Sequence, residues 1–335
     1  MRMIFVVGSS RSGTTMLSRI LAKHSSVFTF GELHFFEQLC DTDRLDNSIS
    51  RKSAIDLADR LVGIQEEGYL HYSGGLKFLD AAEEIVEGCR NSLIALNVYL
   101  SFVDSYLRKN DTLIGCDQTP RNILYLDEII RALPTAKVII MLRDPRSVLL
   151  SQKYKWKRKF LGASSIPLKE SIRSYLNYHP LVISKLWSSS YREVERLKDD
   201  PQVMLLKYED LVLNPESQVA SLCEFLELDY GADMLNIQRV GSSSIVDSGE
   251  EEAGISTSGL DSWKDSKLCD EEIYLCERSA EKLMAQFGYQ KSLDLKVSTL
   301  KLLALYFLLP IKLSLALFMN APRMLNIGQA IKKRL

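Results

Sequence analysis

The segment GSSRSGTT, residues 8–15, has the glycine spacing of a phosphate-binding loop but lacks the cation that such loops use. Gly8 and Gly13 bracket four residues, as in the pattern G-x-x-x-x-G-K-[ST]. Thr14 stands where the lysine belongs, and Arg11 occurs inside the loop instead. The segment therefore predicts an anion site whose positive charge comes from an arginine.

Three kinds of donor converge on this predicted site. The backbone amides of residues 9–15 and the positive end of the following helix form an anion cradle. Thr14 and Thr15 add hydroxyl groups, and the planar guanidinium of Arg11 can bind two oxygens of one anion. The alternative is an ordinary Gly/Ser turn before a helix, but the strand, the spacing and the hydroxyl groups together favour the anion site.

A second basic cluster, MLRDPRSVLLSQKYKWKRK, occupies residues 141–159. Arg143 follows an apolar strand, at the end where open α/β sheets bind their ligands. Ser151 and Lys155 are four residues apart on one helix face, so with Arg143 they could hold a second phosphate. For the remaining lysines of the run we favour the alternative, a solvated helix face: Lys153, Lys157 and Lys159.

The same segment disfavours a magnesium-dependent nucleotide hydrolase. In a Walker B strand the acid follows the apolar run directly, but here Arg143 separates Asp144 from the strand. An arginine beside the cation would oppose a metal ion, and the loop lysine is absent as well. The sequence predicts no metal site.

Strands that alternate with helices carry these segments. Apolar runs predict short strands, and the patterns between them are helical, with a helical insertion after the second strand. The predicted fold class is α/β, a doubly wound and mainly parallel sheet with helical insertions. The predicted strands cover residues 3–7, 27–30, 113–117, 138–142 and 203–206.

The overall composition limits the function classes. The chain has 335 residues, 46% of them apolar and 25% charged, as in a soluble globular protein. A net charge of −1 argues against a general nucleic-acid binder, which is usually basic. No signal peptide precedes the first strand, and the six cysteines show no pairing pattern, so a cytoplasmic location is expected.

Three ordered motifs, GSSRSGTT, LRDPRSVLLS and LLKYEDLVLNP, resemble those of sulfotransferases that use 3′-phosphoadenosine 5′-phosphosulfate (PAPS). The resemblance spans residues 3–290 and is closest in pattern to tyrosylprotein-type and related bacterial enzymes, whose loop carries arginine. It implies the P-loop-like sulfotransferase fold, with PAPS as co-substrate and no metal. It also implies which residues bind PAPS: Arg11, Ser12, Gly13, Thr14 and Thr15 at the 5′-phosphosulfate, Arg143 and Ser151 at the 3′-phosphate, and Tyr208 near the nucleotide.

The chemistry of this transfer explains the missing lysine. A sulfuryl group carries less charge than a terminal phosphoryl group, so its transfer can proceed without a metal. Charge builds on the bridging oxygen and the departing phosphate, where a fixed guanidinium and helix N-terminal amides stabilise it. Arg11 is therefore assigned to catalysis as well as to binding.

The acceptor hydroxyl needs a base, and Glu32 in the segment FGELHFF resembles the catalytic glutamate of the tyrosylprotein-type enzymes. A carboxylate within about 2.6–3.2 Å of the hydroxyl can accept its proton directly. His34, two residues away, is the rival base, and a helix-capping role is the alternative for Glu32. The expected acceptor is a carbohydrate, a lipid-linked glycan or another alcohol.

Two positions depart from the family pattern. In the family a transition-state lysine stands just ahead of the position of Pro120, where this chain has Gln118, which brings no charge. The late loop of the family ends with a tryptophan and an adjacent lysine, which Trp263 and Lys264 match with the lysine second. Ser242, Ser243 or Ser244 could cover the cofactor, and Ser243 is assigned to it together with Lys264.

Two other functions stay open. A nucleotide-kinase-like P-loop phosphotransferase is disfavoured by Thr14, and magnesium dependence would distinguish it. A non-catalytic nucleotide-binding relative is favoured only by Gln118, and a Glu32→Gln substitution would distinguish it. Residues 33–110 and the Ser/Gly-rich loop 238–262 are expected to shape the acceptor pocket.

The chain ends in an apolar tail, residues 291–335, after a predicted sulfotransferase domain of residues 1–290. Residues 298–319, STLKLLALYFLLPIKLSLALFM, predict a helix that Pro310 should kink. The tail and its basic end IKKRL are expected either at a membrane surface, with a lipid-linked acceptor, or docked on the domain or on a partner subunit. The polar residues of this helix fall within about a third of its circumference: Ser298, Lys301, Lys312 and Asn320.

Overall fold

A five-stranded parallel sheet forms the centre of the fold. The computed structural model describes all residues except 90–91, 161–165, 193, 238–253, 266 and 321–335. Its strands are β1 (Arg2–Gly8), β2 (Val27–Thr29), β3 (Ile114–Asp117), β4 (Lys137–Leu142) and β5 (Val203–Lys207). They lie in the order β2-β3-β1-β4-β5, and every neighbouring pair is parallel.

Helices cover both faces of this sheet because the inner strands are apolar on both sides. In β1, Phe5 and Val7 belong to one buried cluster, whereas Ile4 and Val6 belong to the cluster on the other face. All four side chains are at most 2% exposed. Strands buried on both faces read as continuous apolar runs, which is the pattern in the sequence. The predicted doubly wound α/β class is confirmed.

The helices alternate with the strands and add the predicted insertion between β2 and β3. That insertion consists of α2, α3 and α4, which pack on one another. The bounds are α1 (Thr14–Leu21), α2 (Arg51–Glu67), α3 (Leu79–Glu87), α4 (Ala95–Lys109), α5 (Leu126–Ala132), α6 (Pro145–Lys153), α7 (Leu168–Asn177), α8 (Pro180–Tyr191), α9 (Val194–Leu197), α10 (Tyr208–Leu213), α11 (Pro215–Leu226), α12 (Asp270–Gln286) and α13 (Thr299–Asn320).

Short irregular turns replace parts of the predicted helices. The helix predicted from residue 120 begins as a 3₁₀ turn, Pro120–Tyr125, before α5 continues it. A single π turn, Phe35–Leu39, follows Glu32 and His34. Pro310 lies inside α13, which remains one helix over its whole length.

Candidate active site

One candidate residue or loop follows the carboxyl end of each of the five strands. The glycine loop comes after β1, Glu32 after β2, Gln118 after β3, Arg143 after β4 and Tyr208 at the end of β5. Because the five strands are parallel, these ends meet along one edge of the sheet. This is the edge at which open α/β sheets bind their ligands.

The glycine loop between β1 and α1 is tightly wound. Ser12 N donates to Ser9 O at 3.0 Å, and Gly13 has a φ of 101°, which L side chains rarely adopt. A Cβ on Gly13 would lie 2.5 Å from Cδ2 of Tyr208, so space also requires glycine there. Arg11 has a φ of 78°, a strained conformation of the kind that clusters at functional sites.

Two helices hold this loop in place. From α8, the Tyr191 hydroxyl donates to Met141 O at 2.6 Å and accepts from Ser9 N at 3.0 Å. From α6, Gln152 Nε2 donates to Ser10 O at 3.3 Å. The loop is therefore fixed against the end of β4 before any ligand binds.

Arg11 extends from the loop toward α6, where its Nε donates to Ser151 Oγ at 2.9 Å. Desolvation, followed by the charges of Arg158 and Arg143, lowers the pKa of Arg11 to about 10, so the side chain is still a cation at neutral pH. Two predicted anion ligands, Arg11 and Ser151, are thus in direct contact. This concentration of cations in a chain of net charge −1 favours an anionic ligand.

Arg143 is held against the same loop. Its Nη1 donates to Arg11 O at 3.2 Å, its Nη2 donates to Gly259 O at 3.3 Å, and its guanidinium lies 4.0 Å from the ring centroid of Tyr208. Trp187 Nε1 donates to the carbonyl of Arg143 at 2.9 Å. The Nε of Arg143 is buried and has no hydrogen-bond partner among the described residues. This donor suits the 3′-phosphate that the motif implies.

Lys155 lies one helical turn beyond Ser151, in the turn Lys155–Phe160. Desolvation and then the charge of Arg11 lower its pKa to about 8, whereas the charge of Glu32 raises it. Lys155 therefore interacts electrostatically with both Arg11 and Glu32, two of the candidate site residues. The turn that carries it packs against α6 and α7.

The late loop carries Trp263 and Lys264, and the assignment of Lys264 to the cofactor stays a prediction. Lys264 is 57% exposed and pairs with Asp261 Oδ2 at 2.7 Å, whereas Trp263 is buried against the guanidinium of Arg146 at 3.9 Å. The carbonyl of Gly259 is the part of this loop that contacts Arg143. Ser243 lies outside the described residues.

Glu32 begins a chain of charged groups. Its Oε2 lies 3.5 Å from His34 Nε2, and His34 Nδ1 lies 3.3 Å from Glu37 Oε2. Arg121 Nη1 donates to the other oxygen of Glu37 at 2.8 Å. The Glu32 side chain is 45% exposed, whereas those of His34 and Glu37 are 9% and 3% exposed. Both ends of the chain, Glu32 and Arg121, therefore reach solvent, whereas His34 and Glu37 between them are enclosed, with the ring of Tyr69 packed 4.4 Å from the imidazole.

The electrostatics of this chain assign different roles to the two rival bases. Desolvation raises the pKa of Glu32, but the hydrogen bond and charge of His34, with Lys155 and Arg121, bring it below its ordinary value. Desolvation lowers the pKa of His34, but Glu32 and Glu37 raise it above its ordinary value. The arrangement therefore favours an ionised Glu32 beside a protonated His34. A protonated imidazole has no lone pair with which to accept a proton.

Asp144 has a structural partner. Its carboxylate accepts from Arg146 N at 2.8 Å, at the start of α6, and pairs with Arg146 Nη2 at 2.6 Å. Arg146 is 4% exposed and also pairs with Glu277 Oε1 at 2.8 Å. The Asp144 carboxylate is thus engaged by Arg146. This agrees with the interpretation that β4 is not a Walker B strand.

Comparison with known proteins identifies the family. A family model described as "Sulfotransferase family" matches residues 3–232. The chain belongs to the sulfotransferase family. A Caenorhabditis briggsae protein named "Putative protein-tyrosine sulfotransferase" is 25% identical over 280 residues, which cover 79% of this chain and 81% of that protein. An uncharacterised Aquifex aeolicus protein is 27% identical over 270 residues, which cover 78% of this chain and 30% of that protein.

A solved structure shows that the fold is shared. The sulfotransferase domain of the olefin synthase from Synechococcus PCC 7002 matches with a TM-score of 0.54 at 20% identity. The match covers 87% of this chain and 96% of that domain. The family and the P-loop-like fold that the three motifs predicted are confirmed.

Gln118 is the neutral side chain at the position where the resemblance implied a lysine. Gln118 follows β3, and its Oε1 is buried without a hydrogen-bond partner among the described residues. The neighbouring backbone is fixed: Thr119 N donates to Asp117 Oδ1 at 2.9 Å, and His34 N donates to Thr119 Oγ1 at 3.3 Å. Gln118 therefore lies on a rigid turn that also contacts the segment carrying His34.

Several residues of the sulfotransferase site carried no sequence signal. Glu37 and Arg121 are 84 residues apart and meet because β2 lies beside β3. Trp187 and Tyr191 support the end of β4 and the glycine loop from within α8, whose sequence contains no recognisable motif. The one available signal was the H-x-x-E spacing of His34 and Glu37, which suits residues three apart on a helical turn.

Proposed function

We propose that this sulfotransferase transfers the sulfuryl group of PAPS to the hydroxyl of an alcohol-type acceptor, without a metal. The observation that carries the proposal is the combination of a lysine-free glycine loop with Arg143, whose buried Nε is unpartnered among the described residues. A guanidinium fixed beside the loop suits a nucleotide with phosphate groups at two positions. The exposed carboxylate of Glu32 adds a base for the acceptor.

The residues divide between the two ends of the nucleotide. Residues 11–15 are proposed to bind the 5′-phosphosulfate through backbone amides, hydroxyls and the Arg11 guanidinium. Arg143 is proposed to bind the 3′-phosphate, with Tyr208 close to the nucleotide. Ser151 contacts Arg11 directly, and its hydroxyl is proposed to serve the 3′-phosphate as the family motif implies.

The transfer step uses groups that are already oriented. PAPS, when bound, supplies the activated sulfuryl group. The acceptor oxygen forms a bond to sulfur as the bond from sulfur to the bridging oxygen breaks, and Glu32 takes the hydroxyl proton. Arg11 and the loop amides stabilise the charge that collects on the departing phosphate. His34 holds Glu32 as a carboxylate and is not itself the base.

Lys155 is proposed to supply the cation that Gln118 does not bring. It lies one turn beyond Ser151, the residue that hydrogen-bonds Arg11, and its electrostatic neighbours are Arg11 and Glu32. A cation that interacts electrostatically with both the loop arginine and the base suits charge that develops between sulfur and the departing phosphate. Lys155 belongs to the turn that follows α6, whereas Gln118 follows β3, so a different element would supply the positive charge.

The proposed acceptors are molecules with a hydroxyl group that can give its proton to a base: a carbohydrate, a lipid-linked glycan or another alcohol. The helical insertion and the late loop would shape the acceptor pocket, and Tyr69 beside His34 belongs to that insertion. The proposed location is the cytoplasm, with the C-terminal helix at a membrane. The predicted division into a domain of residues 1–290 and a tail of residues 291–335 stays a proposal.

Calorimetry without magnesium tests the nucleotide. We expect 3′-phosphoadenosine 5′-phosphate (PAP) to bind wild type and an exposed control, Arg196→Ala, equally well. Arg143→Ala should bind PAP about tenfold or more weakly, because a hydrogen bond to a charged group contributes roughly 1.5–3 kcal/mol. The loss should shrink for 5′-AMP, which has no 3′-phosphate. Tighter, magnesium-dependent binding of ATP would instead favour a kinase.

Labelled PAPS then tests transfer. Wild type should move the label to at least one member of a panel of glycans, lipid-linked glycans and simple alcohols. Glu32→Gln should keep PAP affinity and lose transfer. A wild-type chain that binds PAP but labels none of these acceptors would favour the non-catalytic alternative.

A further inference from the structure

The polar stripe of α13 faces the domain. This stripe, named above from the sequence, makes its hydrogen bonds to α7, to the residues after it and to α12. Lys312 Nζ donates to Tyr178 O at 2.8 Å, and Asn320 Nδ2 donates to Asn177 Oδ1 at 2.8 Å. At the other end, Ser298 N donates to Glu271 Oε1 at 2.9 Å.

The rest of α13 is apolar and exposed. Ten large apolar side chains of this helix are 43–80% exposed, among them Leu303, Phe307, Ile311 and Phe318. At 3.6 residues per turn they occupy an arc of about 220°, opposite the polar stripe. Helices docked on a soluble domain normally bury their apolar side and expose their polar side. In α13 this arrangement is inverted.

The exposed surface continues beyond α13. The helix packs along α7, which exposes Leu168, Ile172 and Tyr175 on one face by 49–56%. Tyr175 contacts Trp156 edge to face, at 5.8 Å between ring centroids, and Trp156 lies in the turn Lys155–Phe160. One apolar surface therefore runs from α13 across α7 to the turn that carries Lys155 of the candidate site.

A basic turn beside this surface, and a basic segment that follows α13 in the sequence, match an anionic lipid headgroup. The turn Lys155–Phe160 has the sequence KWKRKF, with four cations and no acid. The segment after α13, APRMLNIGQAIKKRL, likewise has four cations and no acid. Basic groups near a membrane surface attract anionic lipids within a Debye length.

The width of the apolar arc indicates whether a folded protein or a lipid bilayer covers this surface. A folded partner covers one stripe of a helix, as in a coiled-coil seam or a groove, whereas the fluid chains of a bilayer contact every exposed side. The length and mean hydropathy of 2.1 suit hydrocarbon. Contacts at both Ser298 and Asn320 hold the helix along the domain, which suits a helix that lies in the membrane surface.

We propose that α7 and α13 form a docking surface for an anionic bilayer, in which α13 lies along the surface without crossing it. Docking in this way brings the turn that carries Lys155 to the membrane. The acceptor would then be a hydroxyl on a membrane lipid or lipid-linked glycan, a step that rests on the proposed sulfuryl transfer. The docking itself does not depend on that transfer.

Vesicle co-sedimentation of the full chain tests the docking. We expect binding to phosphatidylcholine vesicles that contain phosphatidylglycerol, and weaker binding to phosphatidylcholine alone. The double variant F307E/I311E should bind about tenfold or more weakly, because charged groups do not enter hydrocarbon. The control Leu113→Glu, which changes a 73% exposed residue just before β3, should bind as wild type does. Equal binding by wild type and the double variant would overturn the proposal.

Three further measurements separate the remaining outcomes. PAP affinity and melting temperature should be unchanged in both variants, since the substituted side chains are exposed. Alkaline carbonate should release the chain from the vesicles, whereas a membrane-crossing helix would resist. Light scattering should show one oligomeric state for all variants; a dimer that only F307E/I311E dissociates would show that a second copy covers the face.

The acceptor class has its own readout. Labelled PAPS is supplied with vesicles of total lipid extract and with a soluble glycan panel, and the products are extracted into organic solvent. We expect label in the lipid phase, and F307E/I311E should reduce it while keeping PAP affinity. Label confined to soluble glycans would contradict the lipid acceptor. Absence of PAP binding would instead contradict the proposed function and leave the vesicle result standing.

Discussion

At the scale of single residues, the protonation of Glu32 depends on His34. The imidazole sits between two carboxylates, which raise its pKa, and its charge in turn lowers the pKa of Glu32. A base for a hydroxyl must be ionised before the acceptor arrives. In the proposed mechanism, His34 would therefore be a positioning residue that keeps Glu32 ionised at mildly acidic pH.

Replacing His34 by glutamine should move the pH profile. Without the imidazolium, desolvation dominates and the pKa of Glu32 rises, so the acid limb of kcat/KM should shift to higher pH. At the plateau the variant should keep much of its activity, whereas Glu32→Gln should have none at any pH. An acid limb that stays in place would mean that His34 has no effect on Glu32.

Lys155 should control the alkaline side of the same profile. Its pKa of about 8 means that the cation is lost as pH rises through that value, so transfer should decline there. Lys155→Met should lower kcat about tenfold or more and remove this limb. Lys155→Arg should restore the rate and move the limb upward.

The control for Lys155 is Lys157→Met, two residues along the same turn. Its ammonium lies 4.6 Å from the ring centroid of Tyr154. This variant should leave both limbs unchanged. Equal losses in Lys155→Met and Lys157→Met would indicate that only the general positive field of the turn matters.

At the scale of elements, β4 and α6 are joined by a buried ion cluster. Arg146 pairs with Asp144 and Glu277, donates to Gln290 O at 2.8 Å and stacks on Trp263. The cluster ties the start of α6 to α12 and to the late loop. It therefore fixes the helix that presents Ser151.

Arg146→Met should destabilise the fold strongly. The substitution leaves two carboxylates buried without a cation, which typically costs about 3–5 kcal/mol of unfolding free energy. The exposed pair of Arg196 and Asp127 supplies the comparison: Arg196→Met should cost roughly 1 kcal/mol or less. Urea denaturation at neutral pH measures both. Equal losses would show that the buried cluster is worth no more than a surface pair.

Local sequence predicted the helices, strands and loops better than the contacts between residues that are far apart in the chain. The apolar run of β4, the glycine loop and Arg143 are each specified within a few residues, so their placement could be predicted. Glu37 and Arg121 could not be paired in advance, because their contact depends on β2 lying beside β3. The sequence indicates that Asp144 is unsuited to a metal, but its partner Arg146 also pairs with Glu277, which comes from a helix far along the chain.

At the scale of the whole molecule, the sequence specified the polar stripe of α13 but not the direction it faces. Lysine and asparagine side chains can hydrogen-bond to water or to protein with similar ease, so periodicity alone leaves both orientations open. The carbonyl of Tyr178 and the amide of Asn177 accept these side chains and turn the apolar face outward. Orientation is therefore a property of the docked pair α7 and α13.

We expect membrane binding by the tail and nucleotide binding by the sulfotransferase domain to be independent of each other. α13 contacts α7 and the residues near Tyr178 and Glu271, whereas Arg11, Arg143 and Glu32 are held by other elements. A chain that ends at Ser298 should therefore bind PAP with unchanged affinity.

The same truncation should lose vesicle binding, because most of the exposed apolar surface leaves with α13. Calorimetry and co-sedimentation on one preparation measure both properties. Loss of PAP affinity together with membrane binding would show that α13 supports the nucleotide site through α7 and the turn that carries Lys155, and the two regions would then act as one unit.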